Sequence, residues 1–165
     1  TRPPVQGLPT FLVMATQHAR TMWAQGQGWL LSCTAEPTAV RRRWDREELA
    51  PFSTGIHWRV AEAPLLPSVH AMKRIGSARL GPVLADVEAD KAWWLIPADV
   101  GDQLDDIRQL TVRPAGWLLN CPPVLYAVDS RMWLERPDGS GRLTDPVLLA
   151  AAFGPGGYRH PTEAP

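Results

Sequence analysis

The chain reads as one α+β domain, a mixed or antiparallel sheet flanked by helices, and three observations lead there. Its 165 residues are the size of a single ordinary domain. Stretches with apolar residues at three- and four-residue spacing are interspersed, without a regular strand–helix repeat, with short apolar runs bounded by Gly and Pro. Two of those runs flank Asp86-Val87-Glu88-Ala89-Asp90-Lys91, so that Leu80 to Ile96 reads as a β-hairpin with a charged tip. An all-β barrel with peripheral helices is the alternative, raised by several short strands near the C-terminus.

In chain order, Pro9 to about Gly26 predicts the first helix. Phe11, Leu12, Met14, Ala15, His18, Ala19, Met22 and Trp23 share a face, Thr10 is a candidate cap, and Gly26-Gln27-Gly28 is a stop. Trp29 to Cys33 then reads as a short buried strand. Pro37 can open a second helix with Val40, Trp44 and Leu49 inward. Gly55 to Ala61 predicts a strand with Ile56, Trp58 and Val60 on one face and His57 and Arg59 on the other, ended by Pro64 and Pro67. Ser68 is expected to cap a helix that runs to Gly76. After the hairpin, Asp99 to Leu110 predicts a helix with Val100, Leu104 and Ile107 inward. Leu110–Val112 and Trp117–Cys121 read as strands joined at Pro114-Ala115-Gly116. Arg131–Glu135 and Arg142-Leu143 flank Asp138-Gly139-Ser140-Gly141, a hairpin-turn signal. Pro146 to Phe153 predicts a last short helix. Residues 1–8 and 154–165 are expected to be loose, the whole 1–165 forming a single domain.

Lys and Arg number 17 and Asp and Glu 17, so the chain as a whole exerts no pull on nucleic acid, and binding of that kind requires a local patch. No apolar run approaches the roughly 18 residues of a membrane span. The start, Thr1-Arg2-Pro3-Pro4, lacks the layout of a secretory leader, and the expected location is cytoplasmic. Cys33 and Cys121 are expected to be buried thiols, without a zinc-type spacing. No cofactor is expected.

The helix ending near Gly28-Trp29-Leu30-Leu31 is followed by Arg79-Leu80-Gly81-Pro82-Val83-Leu84-Ala85-Asp86, by Trp93-Trp94-Leu95-Ile96-Pro97 and by Gly116-Trp117-Leu118-Leu119-Asn120-Cys121-Pro122-Pro123. This order resembles the primase/polymerase-like (Prim-Pol) proteins of actinobacteria. The resemblance implies their scaffold, and in active members an acidic pair on the central strand, followed by a histidine and a further acid, that holds the divalent ions of nucleotidyl transfer. The strand in that place here, Ile56 to Glu62, offers Glu62 alone, with His57 and Arg59 where carboxylates would be needed. The resemblance therefore implies a degenerate scaffold that binds a partner, a protein or a nucleic acid or nucleotide, without catalysis, with a metal-dependent nucleotidyl transferase as the remote alternative. No catalytic residue is carried over.

Three groups of residues are the remaining candidates. Asp86, Glu88 and Asp90 would share a face in extended chain and could meet a hard cation, or form a solvated hairpin tip. Arg41, Arg42, Arg43 and Arg46 could hold phosphates while Trp44 stacks on a base; the bland alternative is a helix with solvated arginines and Trp44 packed inward. Trp58, Trp94 and Trp117 would make an interaction surface for a protein partner if they converged on one exposed sheet face.

Overall fold

The computed structural model describes residues 9–154. The looseness expected of residues 1–8 and of the tail lies outside them, except at Gly154, which closes the last helix through its N–H to Ala150 O. The elements are α1 (Thr10–Ser32), α2 (Pro37–Asp45), β1 (Ala50–Ser53), β2 (Trp58–Pro64), α3 (Leu65–Ile75), a 3-10 turn (Ser77–Arg79), β3 (Val83–Asp86), β4 (Lys91–Pro97), β5 (Thr111–Val112), β6 (Leu118–Cys121), β7 (Arg131–Glu135) and α4 (Pro146–Phe153). Five strands form one antiparallel sheet in the order β5-β2-β4-β3-β7, and β1 and β6 form a separate antiparallel ribbon. The class is α+β. Among the described residues no helix is long and apolar enough to cross a membrane.

Both faces of the five-stranded sheet are covered, which explains why β4 is apolar almost throughout. Trp93 and Leu95 face a core built from Trp58, Val60, Leu84 and Trp133 with the ribbon (Phe52, Leu119), α2 (Val40, Trp44) and the end of α1 (Leu30, Leu31). Ala92, Trp94 and Ile96 face a second core closed by α3 (Ala71), α4 (Leu149, Ala152, Phe153) and the loop carrying Val100, Leu104 and Ile107. The adjacent tryptophans thus enter different cores, as the two-residue period of a strand demands. The β3–β4 hairpin pairs Asp86 with Lys91, so the predicted hairpin is present.

Several local expectations are corrected. Gly26 and Gly28 do not stop α1, which continues to Ser32 and absorbs the strand expected at Trp29–Cys33. A Cβ at Gly26 would lie 1.8 Å from Pro137 O, so that glycine serves close packing rather than termination. α3 begins at Leu65: Pro67 falls in its first turn, where no backbone donor is required, and Ser68 lies inside the helix as acceptor for Trp94 Nε1 at 3.1 Å. The stretch 99–110 is a succession of turns, although Val100, Leu104 and Ile107 do point inward. β7 pairs with β3, and Arg142-Leu143 forms no strand beside it. The strands around Pro114-Ala115-Gly116 join different sheets, β5 to β2 and β6 to β1. Ile56 does not share the inner face of Trp58 and Val60 but stands 82% exposed at a bend.

Candidate functional site

At one end of the large sheet a row of charged groups runs from Arg113, just past β5, across β2, β4 and β3 to β7. Glu62 on β2 faces Trp93 and stands two residues beyond Val60 on the same face. Its Oε2 accepts from Arg113 Nη2 at 2.8 Å and Lys91 Nζ at 3.2 Å, and its Oε1 accepts from Trp93 Nε1 at 2.9 Å. Asp86 on β3 is held similarly. Its Oδ1 takes Ser130 Oγ at 2.6 Å and Ala89 N at 3.0 Å, and Oδ2 takes Arg131 Nε at 3.1 Å. Arg131 also covers the Trp93 ring at 4.4 Å, and Arg113 covers Trp117 at 5.4 Å. Burial pushes both carboxyls up, but the donors and cations around them outweigh it, so each lies below its ordinary range. Two carboxylates whose oxygens are engaged in this way offer a divalent ion little without dismantling the row.

The hairpin tip is a turn, so the alternation that would align Asp86, Glu88 and Asp90 ends at Asp86. Glu88 and Asp90 are exposed, and Asp90 takes a positive φ of 55°. Among the described residues no three His, Cys, Asp or Glu side chains are grouped to hold a metal.

The two aromatic candidates are also relocated. Trp44 is buried, donates from Nε1 to Cys121 O at 2.9 Å and stacks on Phe52, so no base can reach it. Arg41, Arg42, Arg43 and Arg46 are exposed around α2 and its end, with Val40 and Trp44 as the inward side. Trp58 and Trp94 are 1% and 0% exposed and lie in opposite cores, while Trp117 is half-buried under Arg113. The expected exposed tryptophan face does not form. Cys33 and Cys121 are buried and free, and burial raises both thiols.

A cleft not anticipated from sequence opens between α2 and the outward face of the β1–β6 ribbon. It has a volume of about 520 Å³ and is walled by Cys33, Ala39, Val40, Pro51, Ile56 and Leu118. Thr34, Glu36, Arg43, Ser53 and His57 supply its polar groups. Strand alternation places Phe52 and Leu119 in the core and leaves Pro51, Ser53 and Leu118 on the cleft side. The large exposure of Ile56, and of Leu118 at 54%, is its surface signature. Sequence alone carried half of the signal, the outward alternation of β6; the other half depends on α2 docking across the ribbon.

Comparison of the chain with protein-family models, with curated proteins and with solved structures finds no match.

Proposed function

We propose that the chain is a non-catalytic domain on a Prim-Pol-like scaffold, a binding or regulatory module of the cytoplasm. The observation that carries this is the state of Glu62. It is the single carboxylate on the strand where the resemblance places a metal-binding pair, and Arg113, Lys91 and Trp93 engage both of its oxygens. Metal-assisted phosphoryl transfer requires adjacent carboxylates free to share two cations. Here two cationic side chains occupy that role with one carboxylate.

Among partners, the exposed Arg41, Arg42, Arg43 and Arg46 support contact with a nucleic-acid backbone. Trp44, in the core, contributes no stacking, so binding of this kind would be independent of sequence and strongly weakened by salt. A protein partner is the second reading. It draws on the apolar residues that α1 leaves exposed, Phe11 and Met14 foremost, in place of the tryptophan face.

Primer extension with magnesium or manganese and nucleoside triphosphates tests the first part. The expected result is no incorporation; metal-dependent incorporation lost in Glu62→Ala overturns the proposal. Titration with single- and double-stranded DNA and RNA at two salt concentrations tests the second. Binding that weakens with salt and with Arg41→Ala/Arg42→Ala/Arg46→Ala supports the nucleic-acid partner, and no binding at low salt removes it.

A further inference from the structure

The cleft beside α2 has the size and lining of a small-molecule site. At about 520 Å³ it falls within the range of roughly 300–1,000 Å³ usual for ligand pockets, which are mostly apolar with a few placed polar groups. Its walls are held independently of any ligand. Trp44 fixes α2 through Cys121 O and Phe52, and Tyr126 Oη donates to Trp44 O at 2.9 Å. Such a cleft is preformed and spends little binding energy on ordering itself.

Its polarity runs along the helix. Glu36 stands at the start of α2 and Arg43 seven residues on, a distance of about 10 Å at the helical rise. Arg43 Nη1 donates to Leu49 O at 3.3 Å and lies 3.9 Å from Glu48. Among the described residues Nε and Nη2 have no partner, and together they form the side-on fork that receives a carboxylate through two parallel hydrogen bonds. His57 lines the cleft at the end away from Arg43, next to Trp58, which lies against Cys33 just ahead of α2. Glu36, at the start of α2, stands at that same end and repels an anion from it. Between the ends lie Ala39, Val40, Pro51, Ile56 and Leu118, which offer a ligand no hydrogen-bonding side chain and reward an apolar body.

We infer that this cleft binds an amphipathic monocarboxylate, a medium-chain or bicyclic aromatic acid, with its head on Arg43 and its body against Leu118 and Ile56. The inference rests on reading the domain as a binding module and names the ligand class for it. A more polar ligand such as a nucleotide would strand its sugar and base edges against apolar walls. A neutral hydrocarbon would leave the guanidinium fork unused.

The test uses 1-anilinonaphthalene-8-sulfonate, an aromatic body with one anionic group, as a fluorescent reporter, followed by displacement with octanoate, 2-naphthoate and the uncharged octanamide. Expected is saturable binding at one site, displaced by both acids but at least tenfold less effectively by the amide. Arg43→Ala should weaken it about tenfold, and Leu118→Glu should abolish it; Arg79→Ala, on the 3-10 turn outside the cleft, should leave it unchanged. Leu118 is exposed enough that its variant buries no charge, and circular dichroism verifies that each variant is folded. Absence of saturable binding overturns the inference, as does equal displacement by octanamide or indifference to both cleft substitutions. Its failure leaves the non-catalytic reading intact, because that reading falls only to metal- and Glu62-dependent nucleotide incorporation.

Discussion

Trp44 and Trp58 are buried in the same core and differ in one hydrogen bond. Trp44 Nε1 donates to Cys121 O, whereas the buried Trp58 Nε1, which lies near the Cys33 thiol, has no well-formed hydrogen bond among the described residues. A buried donor left unmatched costs about 1–3 kcal/mol, and a satisfied one contributes about 1 kcal/mol. Trp58→Phe removes the unmatched donor together with part of the ring, so its cost is expected to be within about 1 kcal/mol. Trp44→Phe gives up a made hydrogen bond to Cys121 O and should cost clearly more. Urea midpoints of the two variants compare them directly, and equal losses would contradict the assignment. At the same scale, Glu62 and Asp86 set an acid limit. Each folded pKa lies below its unfolded value of roughly 4.3 or 3.9, so each carboxylate adds stability above that value and loses it as pH falls through the folded one. Stability should therefore hold from neutrality to about pH 5 and decline below it. Glu135 has the opposite sign, because burial and Asp138 raise it, so acid relieves it. The difference between the parent and the Glu62→Gln/Asp86→Asn variant isolates the pair: the variant should be less stable at pH 7 and lose less on acidification. Parallel curves would show that the row does not stabilise the fold.

At the scale of elements, α1 shows what sequence pattern conveys and what it omits. Gly26-Gln27-Gly28 looks like a helix stop because both glycines weaken a helix equally in isolation. In the fold they are unequal. A Cβ at Gly28 meets nothing within 4 Å, whereas at Gly26 it would collide with the Pro137 carbonyl. Gly28→Ala should raise stability by up to about 1 kcal/mol, and Gly26→Ala should lower it by about 1–3 kcal/mol through overpacking. Thermal midpoints moving in opposite directions would bear this out; two rises would show that α1 does not pack against Pro137 as described. The same contact explains the missing second hairpin. Asp138-Gly139-Ser140-Gly141 does turn the chain, with positive φ at both glycines, but the turn packs on Gln25 and Trp29 of α1 rather than joining two paired strands. Elements whose burial follows from their own period were legible: the β3–β4 hairpin, the inward Val40 and Trp44 of α2, and α4. Those decided by a distant partner were not: the continuation of α1, the β1–β6 ribbon and the clamp of Arg113 and Arg131 on the sheet carboxylates. The turns of 99–110 are an intermediate case, since spacing identified the inward residues while the backbone took a different route to bury them.

For the molecule as a whole, the central question is whether its two cores can separate. Adjacent residues of β4 feed both, Trp93 one and Trp94 the other, and β4 lies in the middle of the sheet between β2 and β3. Loss of either covering layer exposes one face of that strand to water, which removes a reason for the other face to stay packed. The layers are also joined outside the sheet. Arg131 links Asp86 on β3 to Asn120 O on the ribbon at 2.7 Å, and Arg59 Nη1 and Nη2 reach Val100 O and Arg113 O. Unfolding should accordingly be a single transition, as is usual for domains of this size. Leu119→Ala in the ribbon-side core and Leu149→Ala in the helix-side core are each expected to cost about 2–5 kcal/mol. Both should shift the tryptophan-fluorescence and far-ultraviolet dichroism midpoints together. Five of the eight tryptophans are buried and they divide between the cores, so fluorescence reports on both layers. If Leu119→Ala split the transition, with the ribbon and α2 melting before the α3–α4 side, that layer would be a separable unit. The cleft, built wholly from the ribbon-side layer, would then open by local unfolding, and its ligand would stabilise that layer alone.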